Sequence, residues 1–152
     1  MMKRTVGKII GVAAAAAGLA VSSTSPAAAF PYWQQVSTNS NWSCSDYQAH
    51  RLSFNIKFKT CVVRNANNDA QAVLVVQNSG TKAAVIRGEI ATWVNGNSYR
   101  GSIACYESTL NPGFTRGCFG PTEPNASRLR GETILWMNGY ENINYSNGSW
   151  EN

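Results

Sequence analysis

The sequence predicts an all-β protein, an antiparallel β-sandwich of the immunoglobulin or fibronectin kind stabilised by two disulfides, with a small β-barrel as the alternative closure. Three observations lead there. Beyond residue 30 apolar residues alternate with period two or form short continuous runs, and no stretch carries a helical period. Asn-Gly and Pro-Gly dipeptides punctuate the runs as turns. The four cysteines, Cys44, Cys61, Cys105 and Cys118, all lie in this same strand-rich part.

The first residues belong to a different class. A basic start, "MMKRTVGKII", is followed by the weakly apolar "GVAAAAAGLAV" and by "SSTSPAAA", which ends in an Ala-x-Ala pattern. That order reads as a secretory signal peptide over 1–29, too short and too Ala-rich for a membrane span. Its removal takes Lys3, Arg4 and Lys8, leaves ten basic residues against eight acidic ones, and cuts the net charge from +5 to +2. The remaining charges form no basic run, so a nucleic-acid groove is not expected, and neither is a membrane association after cleavage. An exported chain meets an oxidising compartment, where its four cysteines are expected to form two disulfides. Three pairings are possible. Cys44 with Cys61 and Cys105 with Cys118 is favoured because each closes a short segment; the other two stay open. No Cys-x-x-Cys occurs and His50 is the only histidine, so no metal site and no cofactor is expected.

Residues 30–43 form an aromatic segment, "FPYWQQ" and beyond, which could extend to add a strand to another protein's sheet or fold back as an edge strand of its own. Residues 44–152 make one sandwich domain of roughly seven or eight strands. In "LSFNIKFKTCVV" Leu52, Phe54, Ile56 and Phe58 share a core face, and Ser53, Asn55, Lys57 and Lys59 share a solvated one. "QAVLVVQN" (71–78) is nearly all apolar, as a strand covered on both sides would be. Asn95-Gly96 and Asn138-Gly139 predict two-residue hairpins, since both central positions of a type I′ turn need positive φ. The piece between them, 107–127, carries Asn-Pro-Gly and Gly-Pro signals and reads as a long irregular loop tied down by Cys118.

The two hairpin signals end a repeat: "RGEIATWVNG" from Arg87 and "RGETILWMNG" from Arg130 agree at six of ten positions. A two-residue turn at Asn95-Gly96 puts Ile86, Ile90, Val94, Tyr99, Ile103 and Cys105 on a core face and Trp93 on the polar one, diagonal to Arg100. The same turn at Asn138-Gly139 puts Trp136 with Ile134, Ile143 and Tyr145, opposite Leu129, Leu135, Met137 and Tyr140. The matched tryptophans have unmatched surroundings, so the repeat is read as one hairpin instruction used twice, not as a bivalent site.

Catalytic patterns are nearly absent. His50 sits in "YQAHRLS", read as a surface residue at a strand entry, and no Gly-x-Ser-x-Gly, phosphate loop or calcium loop occurs. The expectation is that the chain is not an enzyme. Aromatic residues are the positive feature, and Phe30, Tyr32, Trp33, Trp93, Arg100 and Trp136 are the candidate binding residues, because Trp, Tyr and Arg carry most binding energy at interfaces.

With "VVQNSG", "TWVNG", "GCFGPT", "LWMNG" and "GSW", the span Val75 to Trp150 resembles a loose class of small secreted two-disulfide β-sandwich proteins of actinobacteria. That resemblance implies export, the sandwich fold and no catalytic residues. It also implies a setting, a bridging subunit of a secreted antibacterial complex that joins a lectin to a toxin. The expected function is therefore a secreted adaptor for an extracellular protein partner. A carbohydrate-binding module using exposed aromatics is the first alternative. An inhibitor of an extracellular hydrolase, with Arg116 of the 107–127 loop entering the enzyme, is the second.

Overall fold

The computed structural model describes residues 31–151, so the signal segment and Phe30 lie outside the described residues. Ten strands are found there and no helix: β1 (Gln34–Gln35), β2 (Trp42–Cys44), β3 (Gln48–His50), β4 (Ser53–Arg64), β5 (Ala70–Asn78), β6 (Ala84–Val94), β7 (Ser98–Leu110), β8 (Thr115–Phe119), β9 (Arg128–Met137) and β10 (Tyr140–Glu151). They form two open antiparallel sheets. One runs β1-β8-β5-β4-β2 with β3 also paired to β4; the other runs β10-β9-β6-β7. The sandwich expectation holds, the barrel does not, and the strand number exceeds seven or eight because short β1, β2 and β3 border the first sheet.

Alternation makes the core. Ile56, Phe58, Val62, Leu74 and Val76 of the first sheet face Ile86, Ile90, Val94, Leu129 and Leu135 of the second, all buried. Thr60 and Thr133 share a 2.8 Å hydroxyl hydrogen bond across the same gap, which satisfies two polar groups that would otherwise be stranded there. The continuous apolar run of β5 is explained on its other side. Val73 and Val75, with Cys61, are covered by Val36, Trp42 and Phe119. β1 and β2 are opposite edges of the sheet, so residues 36–41 cross its outer surface like a belt. The N-terminal segment thus folds back on its own sheet, Gln34 opposite Gly117 and Gln35 opposite Arg116.

Both favoured disulfides are present. Cys44–Cys61 joins directly opposed residues of β2 and β4 at the end of the belt. Cys105–Cys118 ties β7 of one sheet to β8 of the other.

Four expectations are corrected. Leu52 and Phe54 are not core: they are 47% and 87% exposed, since β4 is paired with β5 only from Ile56 onward and its start runs past the end of that neighbour. His50 is not on the surface but 1% exposed; Leu52 N–H donates to Nδ1 at 3.2 Å and Nε2 donates to the Tyr140 carbonyl at 3.1 Å. Residues 107–127 are not one long loop: 107–110 complete β7 and 115–119 form β8, with a tight turn over 111–114 between them and irregular chain over 120–127. Arg116 there lies within β8, paired on both sides by Gln35 and Val76, and not on a free loop. The Asn95-Gly96 loop has three residues, Val94 pairing with Ser98, whereas Asn138-Gly139 is the expected two-residue turn, Met137 pairing with Tyr140.

Candidate binding face

The repeat acquires its meaning from the pairing of β6 with β9. Its two copies lie side by side and antiparallel, so Arg87 stands opposite Trp136 and Trp93 opposite Arg130. Each guanidinium lies 4.4 Å from the centroid of the facing indole. The other shared residues also do matched work. Gly88 and Gly131 face the first sheet at its closest approach: a Cβ on Gly88 would come 2.5 Å from Leu74 Cδ2, and one on Gly131 2.7 Å from Ala72 Cβ. Asn95 N–H donates to the Arg128 carbonyl and Asn138 N–H to the Val85 carbonyl, closing the two ends alike. Gly96 and Gly139 take the positive φ of the turns, 101° and 84°.

A two-fold relation therefore organises the four-stranded sheet, and its outer side carries one Trp–Arg stack toward each end. Six residues separate the stacks along β6, roughly 20 Å. Between them Glu89, Ala91, Glu132 and Ile134 line a shallow depression. Arg130 also approaches Glu132 at 3.5 Å, with both side chains about one-third exposed, where screening leaves such a pair worth under about 1 kcal/mol. The stacks are of similar size, about 0.5–1 kcal/mol each at partly exposed positions. They fix the orientation of the rings more than they stabilise the fold.

Structure redistributes the candidate residues. Trp93 and Trp136 share the outer face, each against an arginine of the other copy, so the unmatched surroundings expected for the two tryptophans are not what the pairing produces. Trp93 is also flanked by Tyr99, its ring 5.2 Å away, so Tyr99 is not a core residue but 57% exposed beside Trp93. Arg100 is not diagonal to Trp93. It is the extra residue of a bulge before Gly101, where Thr92 pairs with Gly101 and Trp93 with Tyr99, and its Nε reaches Glu123 at 3.5 Å. Trp33 is half-buried against the main core, its indole N–H donating to the Tyr106 carbonyl at 2.7 Å. Tyr32 is exposed and stacks parallel on Tyr106, centroids 4.8 Å apart. Phe30 and the side chains of Ile143 and Tyr145 lie outside the described residues. Arg87 and Arg130 were missed as ring partners; their signal is the Arg-to-Trp spacing of six in both copies, which becomes a reciprocal stack only when the copies pair with each other.

Few titrating groups are shifted. Burial holds the His50 imidazole below its ordinary value, against the pull of backbone carbonyls. Burial likewise raises Tyr47 and lowers Lys59, whose Nζ lies 4.5 Å from the Tyr47 ring centroid. No group of three or more His, Cys, Asp or Glu able to hold a metal is found among the described residues.

No protein family and no curated protein matches the chain. Among solved structures it is similar to the GAE domain of GGA2p from Saccharomyces cerevisiae, with 8% identity and a TM-score of 0.30 over 70% of this chain and 99% of that one. So loose a superposition locates no site.

Proposed function

We propose that this chain is a secreted, non-enzymatic binding module that engages a protein partner through the outer face of its four-stranded sheet. The observation that carries the reading is the pair of Trp–Arg stacks on β6 and β9, with Tyr99 beside one of them. Trp, Tyr and Arg are the residues that most often dominate interface energies, and here the Trp–Arg stacks stand on the two central strands with Tyr99 beside one of them on the edge strand β7, already held in one orientation. Preorganisation of that kind lowers the ordering cost of association. A protein partner is favoured over a glycan because a sugar ring stacks on an open aromatic face, and Trp93 has Arg130 and Tyr99 as its ring neighbours. The bridging role implied by the resemblance to secreted actinobacterial proteins fits a rigid, cross-linked sandwich with more than one usable surface.

The test is affinity purification of the tagged chain from native culture fluid, as wild type and as Trp93→Ala/Trp136→Ala. A companion recovered in stoichiometric amount with the wild type and lost with the double variant is the expected result, both chains keeping their two disulfides and sheet circular dichroism. A companion equally retained by the double variant removes this face from the binding. Retention on polysaccharide that the double variant loses would instead establish the carbohydrate reading.

A further inference from the structure

A cleft of about 400 Å³, within the size range of ligand sites, opens at the end of the sandwich where the chain crosses from β5 to β6. Leu52, Ile56, Ala83, Ala84 and Met137 make its apolar lining, with Ile56 and Ala84 at the buried floor, and Asn55 and Lys82 are among its polar residues. Lys82 is the one ionisable group in that lining, which contains no carboxylate. Arg51 and Lys57, both exposed, flank the lining residues of β4 and add to the positive character of this end. The wall is preset: buried Asn78 donates from Nδ2 to the carbonyls of Lys82 and Leu110 and accepts from Gly80 N–H, fixing the crossover around Lys82. Asn138 on the opposite side accepts from Val85 N–H. Between the lining residues Ser53 and Asn55 stands Phe54, 87% exposed on a regular strand, with Leu52 47% exposed beside it. Phe54 is not itself in the lining, but with Leu52 it leaves apolar surface uncovered next to the cleft, where a docked segment could cover it.

We propose that this cleft docks a segment of a protein partner that presents an aliphatic side chain next to a carboxylate. The aliphatic group enters among Leu52, Ile56 and Met137, whose flexible thioether adapts to its shape. The carboxylate pairs with Lys82, and Phe54 closes over the segment from the side. This rests on the protein-binding reading and gives the module a second surface, distinct from the Trp–Arg face, as a bridge between two proteins requires.

The probe is N-acetyl-leucine, an aliphatic side chain beside a carboxylate, titrated into the mature full chain and followed by backbone amide NMR shifts. Saturable shifts at Leu52, Lys82 and Met137 are expected, with a dissociation constant on the order of 1–10 mM for a ligand this small. N-acetyl-leucinamide, which lacks the charge, and acetate, which lacks the side chain, are each expected to bind about tenfold more weakly. Lys82→Gln abolishes the preference for the acid over the amide, and Phe54→Ser, at a position too exposed to threaten folding, weakens binding of both. The absence of saturable shifts overturns the proposal, and so does equal binding of N-acetyl-leucine and either control. Trp93→Ala/Trp136→Ala leaves this titration unchanged, so failure of the cleft and failure of the sheet face are separately visible.

Discussion

Replacing Gly131 by alanine tests whether the repeat is a packing device. The added Cβ would lie 2.7 Å from Ala72 Cβ and 3.2 Å from Thr60 Cγ2. Comfortable carbon contacts begin near about 3.5 Å, so one sheet must retreat by roughly 0.8 Å at this point. Ala72 has no rotamer with which to yield, and it stands on β5, held between β4 and β8. The retreat also stretches the 2.8 Å Thr60–Thr133 hydrogen bond. Overpacking of this kind costs about 1–3 kcal/mol, and weakening a buried hydrogen bond adds up to about 1 kcal/mol. The stiffer unfolded chain returns about 0.4–1 kcal/mol. The net loss is about 2 kcal/mol, a fall in Tm of roughly 8 °C for a domain of this size. Gly88→Ala should cost less, about 1 kcal/mol, because its closest neighbour is the far end of the Leu74 side chain, which can turn. Urea and thermal unfolding with both disulfides intact measure the two differences. A Gly131→Ala protein within about 0.5 kcal/mol of wild type, or less affected than Gly88→Ala, would refute the close-approach reading and leave the repeated glycine without a structural reason.

Two further outcomes are expected. With a folded pKa held by burial below its ordinary 6.5, His50 binds its proton later than the unfolded chain does as pH falls, so its contribution is complete above about pH 6.5 and is lost below it, by at most about 1.4 kcal/mol per pH unit. Urea midpoints between pH 7 and 5.5 should fall with acid in the wild type and flatten in His50→Gln; a flat wild-type profile contradicts the assignment. The two disulfides span similar separations, 13 and 17 residues, so chain entropy assigns each about 3 kcal/mol. Cys105 and Cys118 are both buried at the junction of the sheets, however, whereas of the other pair Cys61 is buried and Cys44 only partly so. Cys105→Ser/Cys118→Ser, which strands two hydroxyls there, should therefore lower the unfolding free energy by about 1–3 kcal/mol more than Cys44→Ser/Cys61→Ser, and the reverse order in denaturant melts would show that the inter-sheet staple is not the stronger one.

How far the sequence is legible depends on the range of the interaction that decides each feature. The period of two in β4 from Ile56 onward, the apolar run of β5 and the Asn-Gly turn before Tyr140 are local, and each reads correctly. Failures occur where a single residue alters register. A third loop residue, Asn97, shifts the first hairpin so that Tyr99 pairs with Trp93 on the outer face, and a separate bulge at Arg100 carries that side chain away to Glu123. His50 and Trp33 fail for another reason. A polar or amphipathic side chain in a polar segment reads as surface, yet His50 is buried and Trp33 half-buried by partners far along the chain, Tyr140 for one and Tyr106 for the other.

From its own residues the chain determines strand-forming segments, turn chemistry, which cysteines lie close enough in sequence to bridge, and the fact of a repeat, because these follow from φ preferences, side-chain alternation and short loops. Only the tertiary structure decides that the two copies lie against each other, so that an arginine of one meets a tryptophan of the other, and that the first turn of β4 projects past its neighbour to leave Phe54 uncovered. Both depend on which strands become adjacent and where each one ends. Long-range burial selects those adjacencies, and no local preference encodes them.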